Sequence, residues 1–295
     1  MHTLWNTAIA LLVVTGILLG LSLPFGKLAG AAGVPPMVWA WLLSAGAGSV
    51  LLGAHLVRSG LPRLNAQKLR YYFVAGAISF AAPNVLMFST MPHLGAGYVG
   101  IMFTLSPMIT LMLSLLFGIR KPNALGMAGI VVGFVGAVLV AATRGEAGEP
   151  ASIGWVLAGL MIPLCLASGN TYRTWDWPKE TSSIELASGS HLASAILLFL
   201  VLTVTGSAGS IFALADVPVL ALLQIASAAS MFVFFFRLQE VGGPVYLSQI
   251  GYVGAAVALI AGTLFLGESY SLLTWVGACV IAIGIAMTTK AQSGA

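Results

Sequence analysis

Residues 95–118 of this chain read GAGYVGIMFTLSPMITLMLSLLFG, and residues 243–266 read GPVYLSQIGYVGAAVALIAGTLFL. At an offset of 148 residues (243 − 95), the two stretches share one register of glycine, tyrosine and Leu-Phe positions. The matched positions are Gly95 with Gly243, Tyr98 with Tyr246, Leu116-Phe117 with Leu264-Phe265, Gly129 with Gly277, and Gly136 with Gly284. A register that needs no gap indicates an internal duplication, with residues 1–146 and 147–295 as its two copies.

The composition is that of an integral membrane protein. Of the 295 residues, 59% are hydrophobic and only 7% are charged. A chain of this kind cannot present a polar surface to water on every side. The lipid bilayer is therefore its expected surrounding, and nucleic acid is not an expected partner.

Stretches free of Asp, Glu, Lys and Arg predict the membrane spans, because each such charge at a helix centre costs about 2.5–3.5 kcal/mol on insertion. The nine stretches are 1–26, 28–57, 71–119, 122–143, 150–172, 186–215, 217–236, 241–267 and 269–289. The long third stretch divides near residues 92–95, which gives ten spans of roughly 20 residues each. The predicted fold is all-α, with ten transmembrane helices.

The positive charges predict the orientation of these spans. With both termini on one face, that face carries ten of the twelve Lys and Arg residues. They are Arg58, Arg63, Lys68, Arg70, Arg120, Lys121, Arg173, Lys179, Arg237 and Lys290. The positive-inside rule assigns this face to the cytoplasm, so both termini are expected inside. Five spans per copy is an odd number, which makes the two five-helix repeats inverted.

The fourth predicted span and the end of the ninth resemble a known family. Residues 96–107 read AGYVGIMFTLSP, residues 115–118 read LLFG, and residues 264–268 read LFLGE. Together with ten spans and short connections, they resemble the EamA-type branch of the drug/metabolite transporter superfamily. Members usually carry a Pro in the fourth and ninth helices and a Leu-Gly-Glu at the end of each. Here Ala255 replaces the second Pro, and Ile119-Arg120 stands in place of the first Glu.

The resemblance covers nearly the whole chain and implies the export of a small metabolite. In overall look the sequence is similar to bacterial exporters of amino acids, notably those for aromatic amino acids. It therefore implies a multi-pass protein of the bacterial inner (plasma) membrane that acts on an amino acid or a similar metabolite. The protein is expected to be a monomer or a homodimer, and to need neither a cofactor nor a metal.

The transport site of an inverted-repeat carrier is expected near the bilayer midplane, between the repeats. Polar and aromatic side chains in the middle of the spans are therefore candidates. In the third span, Asn84 follows a proline that frees backbone groups about half-way across. In the fourth span, Tyr98, Met102 and Ser106 are four residues apart and share one face. Packing and bonds between helices explain these residues equally well.

The second half adds candidates in its own spans. Ser168 and Asn170 lie in the sixth span. In the ninth, Tyr246, Gln249 and Tyr252 are three residues apart and keep one side of the helix polar and aromatic. We favour this last group, because a buried Gln needs partners and two phenols beside it can hold an aromatic or zwitterionic solute.

His191 is the ionisable side chain that lies clearly inside a predicted span. It is either a proton relay or substrate contact, or a neutral His bonded to a neighbouring helix. No Asp or Glu is expected in mid-span, which argues against strongly cationic drugs. No Lys or Arg is expected there either, which argues against phosphorylated cargo.

The sequence therefore predicts a secondary transporter that exports small neutral or zwitterionic metabolites, with aromatic and other hydrophobic amino acids as the favoured substrates. Facilitated alternating access is the simplest mechanism, since no ion-coupling residue is evident. A proton-coupled exporter of other metabolites or drugs, with coupling through His191, is the alternative. An intramembrane enzyme and a channel are further alternatives that the sequence does not favour, because no HExxH motif, charge ring or filter loop is visible.

Overall fold

The computed structural model describes residues 8–62, 64–118, 124–143 and 150–293, and every element in these ranges is a helix. In chain order the α-helices are α1 (Ala8–Ala31), α2 (Pro36–Ser59), α3 (Ala66–Ala75), α4 (Ala82–Leu94), α5 (Ala96–Phe103), α6 (Ser106–Leu116), α7 (Ala124–Thr143), α8 (Ile153–Trp175), α9 (Ser183–Val204), α10 (Pro218–Ser248), α11 (Ile250–Phe265) and α12 (Leu272–Ser293). A π-helical segment (Gly76–Ala81) joins α3 to α4, and a 3-10 helix (Ala208–Asp216) lies between α9 and α10.

Many of these helices have the length and composition of membrane spans. The seven that are long and apolar enough to cross a bilayer are Ala8–Ala31, Pro36–Ser59, Ala66–Leu94, Ala96–Leu116, Ile153–Trp175, Ser183–Val204 and Pro218–Pro244. Three shorter apolar helices occupy Ala124–Val140, Ile250–Phe265 and Leu272–Gly284. Apolar runs form helices in hydrocarbon because a helix pairs each backbone N–H and C=O group within its own segment, and the lipid offers no other partner. The prediction of an all-α membrane protein is confirmed.

Some charged residues that were predicted to lie between spans belong to the helices instead. Lys27 lies inside α1 and pairs with Glu268, while Arg70 lies inside α3 and pairs with Asp176. A helix can continue past a charge when a partner of opposite sign compensates it. Boundaries placed at the first charged residue are therefore too short.

Two glycines of the duplicated register interrupt the helices at equivalent places. Gly95 separates α4 from α5 with a φ of 83°, and Gly243 breaks α10 with a φ of 71°. Side chains with a Cβ rarely adopt this left-handed backbone conformation, which accounts for glycine at both positions. The predicted division of the third apolar stretch near residues 92–95 is confirmed.

The helices α7 and α12 pack closely through other glycines of the same register. A Cβ atom at Gly136 would lie 2.6 Å from the backbone nitrogen of Ile281, and one at Gly284 would lie 2.5 Å from that of Gly133. Ile281 is 148 positions after Gly133 (281 − 133), and Gly284 is 148 positions after Gly136 (284 − 136). The second contact therefore joins the counterparts of the two residues that form the first. The order of the residues also makes the two helices antiparallel.

Glu268 connects the two halves at one end of the bundle. Its carboxylate accepts hydrogen bonds from the N–H groups of Ala96 (2.7 Å) and Gly97 (3.0 Å) at the start of α5, and from Lys27 and the Tyr270 hydroxyl. Burial raises the pKa of Glu268, but these bonds outweigh burial and hold the pKa of the carboxyl below its usual value. The ionised side chain therefore compensates both Lys27 and the free N–H groups at the helix start.

At the other end, two ion pairs join α3 to the second half. Lys68 pairs with Glu185 at 2.6 Å, and the Tyr72 hydroxyl donates to the same carboxylate at 3.1 Å. Arg70 donates two hydrogen bonds to Asp176, at 2.6 and 3.2 Å. Each pair contains a buried carboxylate, and separating the pair leaves that carboxylate uncompensated, so the pairs hold the two elements in one register. Both ends of the bundle are thus tied across the two halves.

The glycine contact between α7 and α12 leads to a first prediction. Gly284→Ala should destabilise the protein by about 1–3 kcal/mol, because the added methyl group overlaps backbone atoms that cannot move aside easily. Thermal unfolding of the purified protein in detergent measures the effect. The matched control is Gly53→Ala in α2, where a Cβ would meet no atom within 4 Å. Equal melting temperatures for the two variants would show that the contact is not close in solution.

Candidate functional site

A cavity of about 70 Å³ lies between helices of both halves, and a volume of this order holds several water molecules. Its wall is mostly apolar, with Leu19, Leu43, Phe80, Pro83, Met87, Phe103, Leu166, Met231, Phe232, Phe235, Ile250 and Gly251. The polar side chains that reach it are Ser22, Ser79, Asn84, Ser106, Asn170, Arg173 and Ser248. An apolar pocket with a few convergent polar groups is the usual form of a small-molecule site.

The wall of this cavity uses equivalent positions from the two halves. At the 148-residue offset, its members include five pairs, which are Ser22 with Asn170, Pro83 with Met231, Asn84 with Phe232, Met87 with Phe235, and Phe103 with Gly251. The members of one pair touch, since a Cβ at Gly251 would lie 2.8 Å from the carbonyl oxygen of Phe103. The two halves therefore contribute equivalent sequence positions to one wall, and at Phe103 and Gly251 these positions are in direct contact.

Local backbone irregularities shape one side of the cavity. Pro83 lacks an N–H group, and its ring displaces the carbonyl group one turn earlier. The chain responds with the π-helical segment Gly76–Ala81, whose wider turn carries Ser79 and Phe80 into the wall. The proline near the middle of the third span thus creates room, as the sequence indicates.

Two broken helices meet on another side of the cavity. The first break lies between Phe103, which ends α5, and Ser106, which begins α6; the second lies between Ser248 of α10 and Ile250 of α11. All four residues belong to the wall. Helix breaks beside a cavity leave backbone groups available to a ligand, which is how discontinuous helices serve in inverted-repeat transporters.

Arg173 belongs to the cavity wall, and this corrects a prediction from the sequence. The residue was assigned to a cytoplasmic connection, and no cation was expected at the site. It lies instead in the last turn of α8 with 1% of its surface exposed. Its Nε donates to Gln239 Oε1 at 2.9 Å, and one Nη donates to Asn170 Oδ1 at 2.7 Å. Two neutral amides therefore hold the guanidinium inside the bundle.

Three phenyl rings surround the guanidinium group of Arg173. Its central carbon lies 5.4 Å from the ring centroid of Phe80, 5.0 Å from that of Phe235 and 5.8 Å from that of Phe236. Cation–π attraction at these distances partly replaces the hydration that Arg173 loses on burial. The phenylalanine-rich run at residues 231–236, which reads MFVFFF, is a signal for this environment that the sequence analysis did not use.

Three of the ten predicted site residues line the cavity, namely Asn84, Ser106 and Asn170. The Ser106 hydroxyl has no hydrogen-bond partner in the part of the chain that the structure describes, and the same is true of Ser79. Both side chains are 3% exposed. Unsatisfied buried hydroxyl groups on a cavity wall are available to a ligand. Their contact with a substrate stays a prediction.

The other candidates of the first half and Ser168 lie elsewhere. The Tyr98 hydroxyl donates to the carbonyl oxygen of Val140 at 3.0 Å, so this phenol is satisfied within the helix packing. Met102 is buried, with 1% of its surface exposed, and is absent from the cavity wall. Ser168 lines a separate groove together with Tyr172. Of the three residues that were expected to share one face of the fourth span, only Ser106 lines the cavity.

The favoured group of the ninth span does not line the cavity either. Gln249 is buried at the break before α11, although its neighbours Ser248 and Ile250 both reach the wall. Tyr252 lies half-buried in the first turn of α11. The side chain of Tyr246 lies outside the part that the structure describes. The preference for this group as the centre of the site is therefore not supported by the cavity.

His191 lies one layer behind the cavity wall. Its ring is completely buried, with centroid distances of 4.0 Å to Phe80 and 3.8 Å to Phe232. Neither ring nitrogen has a hydrogen-bond partner among the described residues. Leu43, which stands at the equivalent position of the first half (191 − 148), does line the cavity. His191 can thus affect a ligand through the two phenyl rings rather than by direct contact.

Comparison with known proteins agrees with this architecture. Protein PecM of Dickeya dadantii (strain 3937) is 25% identical over 210 residues, which cover 71% of this chain and 70% of PecM. "Uncharacterized inner membrane transporter YedA" of Escherichia coli (strain K12) is 25% identical over 263 residues, 86% of this chain and 82% of YedA. One crystal structure has the same fold, with a TM-score of 0.64 and 20% identity over 97% of this chain and 98% of that one.

A family profile gives the broader assignment. It matches the chain twice, over residues 6–142 and again over residues 153–290, and so covers most of its length. The all-helical fold and the central cavity are consistent with that match. The chain belongs to the EamA-like transporter family.

Proposed function

We propose that this protein is a secondary transporter built from ten transmembrane helices in two inverted five-helix repeats, residues 1–146 and 147–295. It exports small neutral or zwitterionic metabolites, with aromatic and other hydrophobic amino acids as the favoured substrates. The observation that carries this proposal is the cavity whose wall pairs five positions of one half with their counterparts in the other. Inverted-repeat carriers bind their substrates at such an interface.

Several independent observations support the repeat. Seven long apolar helices and three shorter ones add up to ten spans (7 + 3). The two family matches begin 147 residues apart (153 − 6), close to the offset of the duplicated register. The equivalent helices α7 and α12 pack antiparallel through exchanged glycine contacts. Antiparallel packing of equivalent spanning helices is what an inverted repeat requires.

We place both termini in the cytoplasm and the protein in the inner membrane of a bacterium. Arg173 lies in a helix and no longer counts as a charge of a connection, so nine of the ten positive charges remain on the assigned cytoplasmic face (10 − 1). The other face holds Lys27 and Arg144, so the asymmetry that sets orientation is kept. The name of the relative YedA, an inner membrane transporter, supports the same location.

The lining of the cavity supports a substrate with an apolar body and a few polar groups. Phenyl rings of Phe80, Phe232 and Phe235 supply a surface on which an aromatic side chain can pack. Asn84 and Asn170 supply amide groups that can donate and accept hydrogen bonds. A cavity of about 70 Å³ is smaller than the 300–1,000 Å³, roughly, of an occupied ligand site, so the halves must separate to admit a solute.

Alternating access supplies that opening. One ion pair at each end of the bundle joins the first half to the second. These ion pairs, called the ties below, are Glu268 with Lys27 and Glu185 with Lys68. In the proposed mechanism one set of ties breaks while the other holds, so that the cavity opens to one side at a time. Facilitated movement down the solute gradient needs no further coupling group.

Proton-coupled export of other metabolites or drugs is the second candidate function. The observation that favours it is His191, a buried imidazole in contact with two rings of the cavity wall. Protonation there would place a positive charge behind Phe80 and Phe232 and would change the affinity of the cavity for a solute. An imposed pH gradient separates this candidate from facilitated movement.

The proposed orientation predicts the behaviour of reporter fusions. Green fluorescent protein fused after Ala295 should fluoresce, since the C-terminus is cytoplasmic, whereas alkaline phosphatase at the same position should be inactive. Alkaline phosphatase fused after Ser207, in the connection that follows the seventh span, should be active because that connection is external. The reverse pattern at the two positions would invert the topology, and equal activity at both would rule out an odd number of spans between them.

The proposed substrate class predicts saturable uptake of radiolabelled phenylalanine into proteoliposomes that contain the purified protein. Excess unlabelled hydrophobic amino acids should compete, and nucleosides and cations should not. Uptake that is indifferent to an imposed pH gradient supports the facilitative mechanism, while gradient-driven uptake supports the proton-coupled one. Protein-free liposomes are the control. Absence of uptake by folded protein would remove amino acids as substrates and leave the family membership intact.

The cavity predicts different outcomes for two sequence-predicted site residues. Asn84→Ala should reduce phenylalanine transport by about ten-fold, the scale of one lost polar contact to a substrate, because Asn84 lines the cavity. Tyr98→Phe should keep transport and lower stability by about 1 kcal/mol, because the lost hydroxyl binds Val140 within the packing. Transport rates at matched protein levels, together with thermal unfolding in detergent, test both. Reduced transport in Tyr98→Phe alone would move the site toward α5.

A further inference from the structure

Arg173 is the one Lys or Arg in the described cavity wall, and it forms no ion pair with any described acid. Among the described residues the ion pairs are Lys27–Glu268, Lys68–Glu185, Arg70–Asp176 and Arg237–Glu240, and none of them involves Arg173. Each described acid that is buried already serves another cation. A buried charge without a counter-charge is costly and is rarely kept for stability alone.

The guanidinium group of Arg173 also has unused hydrogen-bonding capacity. An arginine carries five N–H donors in a planar fork. Its bonds to Gln239 and Asn170 use one donor each. The guanidinium group forms no other hydrogen bond with the described residues, and the three phenyl rings around it accept hydrogen bonds only weakly. The site thus offers a planar array of donors to a ligand that enters the cavity.

Two hydroxyl groups on the same wall are unsatisfied as well. Ser79 and Ser106 are each 3% exposed, both line the cavity, and neither hydroxyl has a partner among the described residues. A hydroxyl group can donate to an anionic oxygen. Arg173, Ser79 and Ser106 therefore supply unsatisfied donors to the wall of one cavity, and an anion bound there can accept hydrogen bonds from them.

We propose that Arg173 binds a carboxylate group of the transported solute, and that the phenyl rings of Phe80, Phe232 and Phe235 hold its apolar body. This inference rests on the proposed transport function of the cavity and narrows its substrate class. A planar carboxylate matches the fork of an arginine through two parallel hydrogen bonds. The solute is a small monocarboxylate, which includes amino acids through their α-carboxylate and simple organic acids.

The charge of the cavity favours a carboxylate over a phosphate. A phosphate monoester carries nearly two negative charges at neutral pH and is held in proteins by several cations or by helix N-termini. Arg173 is the one Lys or Arg among the residues that line the described cavity, so one negative charge is matched and a second is not. The largely apolar wall adds to this preference, because it hydrates a second charge poorly.

Three ligands that share one phenyl body test the carboxylate requirement in the full-length protein in detergent. They are 3-phenylpropionate, which has a carboxylate and no ammonium group, phenylalanine, which has both, and phenylalaninol, which has an ammonium group and no carboxylate. The rise of the melting temperature with ligand concentration gives each dissociation constant. We expect the two carboxylates to stabilise the wild-type protein and phenylalaninol to have no effect at the same concentrations.

Variants of Arg173 test whether the guanidinium group supplies the contact. Arg173→Gln should weaken binding of both carboxylates by about ten-fold or more, and Arg173→Lys should restore part of it, because the charge returns without the fork. Arg58→Gln, which removes an exposed arginine at the end of α2, is the matched control and should bind like the wild type.

Each result has a definite meaning. Equal stabilisation by phenylalaninol and the carboxylates would overturn the inference, as would no stabilisation by either carboxylate. Unchanged carboxylate affinity in Arg173→Gln would assign the arginine a structural role and leave the proposed transport function standing. If 3-phenylpropionate stabilises the protein and phenylalanine does not, the carboxylate site stands and amino acids are removed from the proposed function. The wild-type comparison stands on its own if a variant fails to fold.

Discussion

The structure depends on the close approach of helices α7 and α12 at their glycine residues. At Gly136 and Gly284 the backbones of α7 and α12 come so near that any side chain would overlap main-chain atoms. In a bilayer, helix association draws on van der Waals contact and not on the hydrophobic effect, so small residues decide where helices can pack closely. The same approach recurs where Gly251 meets the carbonyl oxygen of Phe103, and there it forms part of the cavity wall. These close contacts between helices determine where the broken helices lie, and the broken helices form part of the cavity wall.

The two halves contribute residues at equivalent sequence positions to the cavity wall, whereas the side chains at those positions differ in chemistry. Asn84 of the first half corresponds to Phe232 of the second, and both line the cavity. Ser22 corresponds to Asn170, and only the second of these binds Arg173. A symmetric site would present the same groups twice to a solute that is itself asymmetric. Divergence at equivalent positions instead places the cation Arg173 in the second half, whereas the unsatisfied hydroxyl groups of Ser79 and Ser106 belong to the first.

Much of the fold follows from the sequence, because charge-free apolar runs have few alternatives in hydrocarbon. The site follows less well, and the helix breaks explain why. Tyr98, Met102 and Ser106 share a face only if the helix is continuous, but α5 ends at Phe103 and a new helix starts at Ser106. The face therefore rotates at the break, and Ser106 alone reaches the cavity. A break also falls at Gln249, just before α11, and neither Gln249 nor Tyr252 lines the cavity.

The sequence does not predict Arg173 in the cavity wall, because the rule for span boundaries ends each span at its first charged residue. The rule fails when neutral amides one turn away, or on a neighbouring helix, can hold the charge inside, as Asn170 and Gln239 do. These partners belong to the second half, so in the proposed mechanism the cation moves with that half. Ser79 and Ser106 move with the first half. A solute bound between the halves can accept hydrogen bonds from Arg173 and from the two hydroxyl groups only while the halves are close. The affinity of the cavity for the solute therefore falls when either side opens. Separation of the halves then releases the solute without any change in the charge of Arg173.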